Sequence, residues 1–396
     1  MFNQLDFPKC KHRILIRRKT IKTNRGYMLH LRLPGDGVGN DVMEATKIVL
    51  DKMQFDAEYI HGDIGWEFWR KEGDPLPQRT IDLLNNTDCA LFGAITSKPK
   101  EEAEAELIPD LQGKNMVYLS PIVRMRQQFN LRTNLRPCKA YDGNPLNYRE
   151  GIDITVFREN TEDLYSGIEF FPAPKEFRTT VEKLHPKMKR FSKVPYDDMA
   201  VTLRIITKNG ARNIITDAFE YAKKFGKKTV TIVEKPNVMR ETSGLMVRTA
   251  REVAKNYPDI ELWETNIDAM CMWLVKNPED YSVLVTSNMF GDIVSDLAAQ
   301  LIGGLGFACS GNIGDNYAVF EPTHGSAPKY DGMYKVNPIA MLLSTKMMLD
   351  YLGETDKADS LENAIAKVIA DGKVRTYDMG GSNTTLEVAE AVAALI

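Results

Sequence analysis

Apolar positions along the chain follow two periods. Short runs suited to buried or half-buried strands occur at Leu29 to Leu33, Cys89 to Ile95, Ile152 to Phe157, Lys228 to Val233, Glu261 to Ile267 and Val283 to Val285. Between and after them, apolar residues recur at helical spacing. This predicts helices over Asp41 to Met53, Thr207 to Lys224, Gly244 to Asn256, Ile339 to Tyr351, about Ser360 to Ala370, and Thr385 to Leu395. Strand and helix alternate, so the class is α/β. The stretch 281–304 is the most informative. After Val283 to Val285 and a turn at Thr286 to Asn288, Met289, Phe290, Ile293, Val294, Leu297, Ala298 and Leu301 form one helical face, and Gly303-Gly304 ends it. Asp292 and Asp296 fall four apart on the other face. Carboxylates so placed repel each other unless a cation sits between them. On an arbitrary helix they read as a solvated polar face. Here they open a helix after a buried strand, where open α/β sheets place ligands.

Two segments break the alternation. Residues 98–118 are polar and acidic and read as a surface excursion. Residues 171–205, with Pro172, Pro174, Pro186 and Pro195 and many charges, read as an irregular extended excursion. Neither an internal repeat nor a low-complexity linker is evident.

With 396 residues, 43% hydrophobic and 27% charged, the chain can form two domains, or one large domain with an insertion. A net charge of -3 argues against nucleic acid as a partner. No apolar run approaches the length of a membrane span. The 5 cysteines are far apart with no CxxC, which suits reduced thiols in the cytoplasm. The 5 histidines show no zinc spacing, so any metal should be a hard cation held by oxygen. The N-terminus is basic, with Lys9, Lys11, Arg13, Arg17, Arg18, Lys19, Lys22 and Arg25 against a single acid, Asp6, before Asp36. It reads as an arm or as an edge strand at Arg13 to Ile16. An organelle-targeting leader is the alternative, which the lack of serine disfavours.

Pro34-Gly35-Asp36-Gly37-Val38-Gly39 lies between a strand and a helix, but the third glycine of a dinucleotide fingerprint is replaced by Asn40. The loop reads equally as a phosphate site or as a glycine turn packing a helix on a sheet. Strand ends elsewhere carry Arg158, Lys235 and Asp268 besides the Asp292/Asp296 pair. Three acids converging on one point would bind Mg²⁺ or Mn²⁺. Arg126, Arg136 and Arg158 are the residue type that grips carboxylates through paired hydrogen bonds. Together these features imply a small polyanionic substrate chelated to a metal.

Six motifs carry a family resemblance: PGDGVG, NLRP, FRENTEDLYSGIE, EKPNVM, GDIVSDLAAQLIGGLG and EPTHGSAPKYDG. Over about Gly35 to Tyr377 the sequence resembles the β-decarboxylating dehydrogenases that act on isocitrate, 3-isopropylmalate and homoisocitrate. The resemblance implies an α/β fold of the isocitrate/isopropylmalate dehydrogenase type and not a Rossmann fold. A large cofactor-binding domain would come from residues 1–131 and 303–396. A smaller α/β domain would come from 132–302 and include a clasp-like excursion at about 166–205. It further implies a homodimer with the active site shared between subunits. Arg126, Arg136 and Arg158, with Ser120 and Asn237, would bind substrate. Asp268, Asp292 and Asp296 would hold the metal, one of them reaching across from the neighbouring subunit. Tyr165 and Lys235, the latter from the partner chain, would do acid–base work. Thr96, Glu321, His324, Gly325, Ser326, Ala327, Lys329, Tyr330, Asn337, Tyr377 and Asp378 would face the cofactor.

The same resemblance narrows substrate and cofactor. Ser120 stands where the isocitrate branch meets the distal carboxylate. Ile122 and Phe92 depart from that branch, as does the length of the segment between Thr96 and Ser120. Lys329 and Tyr330 stand where NAD-users carry an acid, and Tyr377 matches a phosphate-contacting tyrosine. Gly381 replaces that tyrosine's usual arginine companion. The expected activity is metal-dependent oxidative decarboxylation of isocitrate, a tricarboxylate, with reduction of NADP. The alternatives are a homoisocitrate or 3-isopropylmalate dehydrogenase using NAD, a non-catalytic regulatory subunit, and a binding protein for small carboxylates.

Overall fold

Residues 28–396 are described by the computed structural model; the basic arm and the strand expected at Arg13 to Ile16 lie outside the described residues. Its strands, in chain order, are β1 (Met28–Gly35), β2 (Ala57–His61), β3 (Cys89–Ala94), β4 (Thr133–Lys139), β5 (Asp153–Glu159), β6 (Glu169–Phe170), β7 (Val201–Thr202), β8 (Thr229–Glu234), β9 (Glu261–Asn266), β10 (Val283–Thr286), β11 (Cys309–Ile313) and β12 (Ala318–Pro322). All but β6 and β7 form one 10-stranded sheet in the order β2-β1-β3-β12-β11-β4-β5-β10-β8-β9. Two parallel blocks flank an antiparallel middle. β2, β1, β3 and β12 run together, as do β5, β10, β8 and β9, while β11 and β4 link the blocks by antiparallel pairing. The fold is the α/β type that the six motifs implied.

The unbroken apolar runs mark the interior of each block. Val283, Leu284 and Val285 are fully buried because β10 lies between β5 and β8. A strand covered on both faces needs no polar alternation. β3 is buried at every position for the same reason, between β1 and β12. The antiparallel middle escaped the apolar pattern. β4 and β11 carry Asn134, Arg136 and Asn312, and β12, the strand of the first block beside them, carries Glu321; all four are buried, so these sequences look like loops.

The Pro34 to Gly39 loop is a packing turn. Added Cβ atoms would come 1.9 Å from the Ala94 carbonyl oxygen at Gly35 and 2.3 Å from the Ser326 carbonyl oxygen at Gly37, where φ is positive. The Val38 amide donates to that Ser326 oxygen at 2.9 Å. The Asp36 carboxylate accepts the Thr96 amide at 2.8 Å and the Trp66 amide at 2.6 Å. One loop thus ties β1 to the exit of β3, to the helix Trp66–Glu72 and to the 323–328 loop.

Both excursions are more ordered than their composition suggests. Within 98–118 a helix, Lys100–Ala105, and the turn after it pack Ala103 and Leu107 on Trp66 and Trp69 as a separate small core. The Trp66 indole donates to Glu106 at 2.6 Å, and the Tyr118 hydroxyl to the Thr96 carbonyl at 2.7 Å. The 166–205 excursion is not irregular throughout. It holds the two-stranded β6–β7 ribbon and a helix at Lys175–Leu184, whose buried Arg178 donates to the Phe191 carbonyl at 2.6 Å. Its prolines sit at element ends, with Pro174 just before that helix and Pro186 opening a 3₁₀ turn, so they punctuate structure rather than abolish it.

Replacing Asp36 with alanine strands two amide N–H groups at this junction. We expect a loss of about 2–6 kcal/mol, since each orphaned buried donor costs about 1–3 kcal/mol. Urea unfolding of Asp36→Ala should show a lower midpoint than wild type, with Asp36→Asn between them. An unchanged midpoint would mean that other contacts hold the junction.

Candidate active site

Strand register builds the centre of the site. Arg158 of β5 lies opposite Asn134 of β4, and Asn134 opposite Asn312 of β11. Residues opposite each other share a sheet face, so Asn312, Asn134 and Arg158 form one row, and Arg136 follows two positions along β4 on the same face. Arg126 enters from the helix Pro121–Gln128. The three arginines are 6%, 8% and 1% exposed for Arg126, Arg136 and Arg158, well beyond what a surface ion pair requires.

Each guanidinium is fixed by polar side chains. Arg126 donates to the Asn312 side-chain oxygen at 2.9 Å and to Glu321 at 3.2 Å. Arg136 donates to Asn134 at 2.7 Å, to Ser295 at 2.7 Å and to Asp296 at 3.0 Å, with Asp292 at 3.3 Å. Arg158 donates to Asn288 at 2.9 Å and to Asp292, and its Nη2 has no hydrogen-bond partner among the described residues. Burial, reinforced by Arg136 and Arg126, pushes Arg158 down to about 9. Burial likewise lowers Arg126, against the pull of Glu321. A guanidinium in this position is a cation in need of anions.

Asp292 and Asp296 lie on the helix Asn288–Leu301, as the spacing predicted. Burial alone would raise Asp292, but Arg158, Arg136 and the Tyr165 hydroxyl hold it below its ordinary value. Asp296 is raised by burial despite Arg136, and Asp292 adds to the rise. The Tyr165 hydroxyl donates to Asp292 at 2.5 Å, its ring lies 4.9 Å from the Arg158 guanidinium, and burial together with that bond raises its pKa.

Asp268 stands apart. It lies on the helix Ile267–Lys276 and pairs with Lys235, which holds its carboxyl low. No three His, Cys, Asp or Glu side chains gather to hold a metal among the described residues. The convergence of three acids therefore does not occur within one chain, where the acids form a pair and a singleton. Asp292 and Asp296, hard oxygen donors one helical turn apart, fit part of a divalent-cation site.

Ser120 immediately precedes the helix that carries Arg126, about 9 Å away along the axis at 1.5 Å per residue. Asn237 is exposed on the turn after β8. Phe92 and Ile122, the departures from the isocitrate pattern, pack into an apolar cluster with Leu33, Ile81 and Met125. Their sequence difference is therefore a matter of core packing.

A second cleft, of about 440 Å³, gathers His324, Gly325, Ala327, Tyr330, Asn337, Tyr377 and Asp378. The Tyr330 and Tyr377 rings lie 5.6 Å apart, and the Lys329 ammonium is 4.7 Å from the Tyr330 ring. Asn337 donates to Asp378 at 3.1 Å. The buried His324 Nε2 has no partner among the described residues, and burial holds the ring's pKa down. Thr96 and Ser326 share a hydrogen bond at 2.7 Å. These groups fit a dinucleotide: two stackable rings, a cation beside them and a neutral imidazole with a spare nitrogen. Glu321, expected here, instead joins Arg126 and Asn312.

Several residues that shape the site were not anticipated. Asn312 accepts from Arg126, Asn134 and Asn160 at 2.9, 2.9 and 3.0 Å, and donates to Glu321 at 2.7 Å. Arg204 donates to Asp163 at 2.5 Å and to Ser287 at 2.7 Å, while Asp163 accepts the Met289 amide at 2.9 Å and Glu234 the Ser287 amide at 3.0 Å. Two acids thus fix the start of the helix that carries Asp292. The available signal was the pair of acids Asp163, within FRENTEDLYSGIE, and Glu234, which opens EKPNVM.

Residues 31–393 match the family model described as isocitrate/isopropylmalate dehydrogenase. Protein DlpA of Legionella pneumophila is 41% identical over 362 residues, which are 91% of this chain and 57% of DlpA. The chain thus spans somewhat over half the length of that relative. The 3-isopropylmalate dehydrogenase of Archaeoglobus fulgidus is 41% identical over 364 residues, 92% of this chain and 98% of that protein. The crystal structure of isocitrate dehydrogenase from Methylococcus capsulatus superposes with a TM-score of 0.80 at 34% identity, covering 93% of this chain and 99% of that one.

The lowered Asp292 carboxyl makes a pH prediction. A depressed folded-state pKa contributes stability above the ordinary aspartate value of 3.8, and that contribution is lost as pH falls through the lower folded value. The stability difference between wild type and Asp292→Asn should therefore be greatest above pH 3.8 and shrink below it. Chemical unfolding across that range measures it, and a difference that grows in acid would refute the pairing.

Proposed function

The chain belongs to the isocitrate/isopropylmalate dehydrogenase family, and from that premise we propose that it oxidatively decarboxylates isocitrate to 2-oxoglutarate and CO₂ with reduction of NADP. The observation that carries this reading is the buried arginine trio around Asp292, with the Arg158 Nη2 still unpaired among the described residues. Three such cations on one face suit a substrate with several carboxylates. Ser120, at the head of the Arg126 helix, would meet the distal carboxylate, and Asn237 would join from the turn after β8. Asp292 and Asp296 would hold Mg²⁺ or Mn²⁺, with Asp268 supplied across a subunit interface.

A nicotinamide held in the cleft of Tyr330, Asn337 and Tyr377 would supply an acceptor for the C2 hydride, and a divalent cation held by Asp292 and Asp296 would supply positive charge to stabilise the developing oxyanion. Lys235, from the partner chain, would take the hydroxyl proton. Tyr165 suits the later step: its raised pKa keeps the phenol protonated, ready to deliver a proton to C3 once CO₂ has left. Lys329, Tyr330 and Tyr377 favour a 2′-phosphate, hence NADP. The homodimer is part of the proposal. Met272 and Val275 on one helix, and Met289 and Ile293 on the next, expose apolar side chains that a twofold helical contact would cover. So is the division into a large domain (1–131, 303–396) and a small one (132–302), supported by the two parallel blocks of the sheet. The proposed compartment is the cytoplasm; among the described residues no helix is long and apolar enough to cross a membrane.

A second reading, 3-isopropylmalate or homoisocitrate oxidation with NAD, is favoured by a specific feature. Val117 and Leu119, just before Ser120, are each 57% exposed and could receive an apolar substituent. The name of the Archaeoglobus relative points the same way. A regulatory subunit without activity is disfavoured because Tyr165, Lys235, Asp268, Asp292 and Asp296 are all present.

Absorbance at 340 nm with isocitrate, homoisocitrate and 3-isopropylmalate, each with NAD and NADP and with or without Mg²⁺, decides between these readings. Metal-dependent turnover of isocitrate with NADP is expected, and turnover of 3-isopropylmalate alone would overturn it. Tyr165→Phe should lower kcat by about a hundredfold with little change in KM, and an unaltered kcat would remove Tyr165 from the proton path. Lys329→Asp combined with Tyr330→Ile should lower the NADP:NAD preference in kcat/KM by about tenfold or more. A constant ratio would withdraw the NADP assignment.

A further inference from the structure

A cavity of about 380 Å³ lies on the face of the sheet opposite the arginines. Its floor includes Leu135, Pro137 and Thr155, and these alternate along β4 and β5 with Arg136 and Arg158. One wall is Tyr221 and Phe225 from the end of the helix Lys208–Lys224, whose rings lie 4.4 Å apart. The opposing side includes Tyr351, whose ring lies 5.6 Å from that of Phe320 in β12, and Leu343 and Met347 of the helix Ile339–Leu352. The cavity therefore sits where elements before and after residue 303 meet behind the site. Its volume is in the range of small-molecule sites and far exceeds that of a buried water.

The rim charges restrict the occupant. Three lysines and three acids line the cavity, and all six are paired: Lys227 with Asp153, Lys139 with Glu362 at 2.7 Å, and Lys346 with Glu362 at 2.9 Å and with Asp350 at 3.0 Å. Against the cost of burial, Lys139 and Lys346 hold Glu362 down to about 2, so it stays ionised and engaged at any working pH. A charged ligand would have to break one of these pairs. An uncharged one need not, and can use the Tyr221 and Thr155 hydroxyls, which share a hydrogen bond at 3.1 Å. We propose that this cavity is a binding site for an uncharged aromatic small molecule bearing a single N–H or O–H donor, separate from the carboxylate and dinucleotide clefts. The site stands independently of the reaction assigned to the other face.

N-phenyl-1-naphthylamine, an uncharged aromatic amine whose fluorescence rises in apolar surroundings, is the probe. Titration into the full chain should give a saturable, single-site rise. Phe225→Ala, at a ring already 51% exposed and so safe for folding, should weaken binding about tenfold. Leu343→Trp, which fills the cavity, should abolish the signal while circular dichroism stays unchanged; if that variant fails to fold, Phe225→Ala alone decides. Saturating NADP or isocitrate should leave the probe bound. A linear, unsaturable rise, equal binding by Phe225→Ala and wild type, or displacement by NADP or isocitrate would each overturn the proposal.

Discussion

Three guanidiniums buried on one face of a sheet set the terms for the rest of this molecule. A charge taken from water and left unpaired costs several kcal/mol, and removing one member of a buried pair costs about 3–5 kcal/mol. Arg126, Arg136 and Arg158 also repel one another, which is part of why Arg158 is pushed down. The fold meets that cost with Asn134, Asn288 and Asn312, whose oxygens accept from Arg136, Arg158 and Arg126 respectively, and with Asp292, Asp296 and Glu321. Each amide or acid must be held in turn. Asn312, for example, is fixed by Asn134, Asn160 and Glu321. The antiparallel middle of the sheet supplies much of this layer because its register sets Asn312, Asn134 and Arg158 in one row, with Arg136 two positions along β4 on the same face.

The parallel blocks hold the two sides of the site against that middle. On one side, Arg204, Asp163 and Glu234 fix the start of the helix Asn288–Leu301, so the position of Asp292 follows from contacts made a turn earlier. On the other, the Asp36 loop fastens β1, β3 and the 323–328 loop into one unit. The Thr96–Ser326 bond then joins two of the residues expected to face the cofactor. The glycines of this loop are needed because backbone meets backbone there, with no room for a Cβ at Gly35 or Gly37. A phosphate is not required to explain them.

What could be read from the sequence follows from this division. The parallel blocks bury both faces, so β3, β8 and β10 appear as apolar runs and the fold class was legible. The middle strands, and β12 beside them, bury polar side chains, and a pattern that equates burial with apolarity passes over β4, β11 and β12. Arg126, Arg136, Arg158, Asp292 and Asp296 could be singled out by residue type and motif, and the fold brings them together. Asn312 and Arg204 could not, because a lone Asn or Arg shows its importance only when its partners, up to 186 residues away for Asn312 and Arg126, are placed beside it. Asp268 marks a different limit. Within one chain it pairs with Lys235, away from Asp292 and Asp296, and on the reading proposed above a second copy would bring it to the site.

The ion pairs inside the site bear on which ligands it selects. Asp292 serves Arg158, Arg136 and Tyr165 at once, and Asp296 serves Arg136. A carboxylate that takes Arg158 or Arg136 from Asp292 strips that half-buried acid of one of its cations, which offsets part of what the new contact contributes. A cation that takes Asp292 and Asp296 strands the arginines in the same way. Only a ligand set that brings both signs of charge satisfies every group that it displaces. On the reading proposed above, that set is a polycarboxylate together with a divalent cation. The buried arginines and the paired acids would then act as one selector, tuned to the chelate rather than to either component.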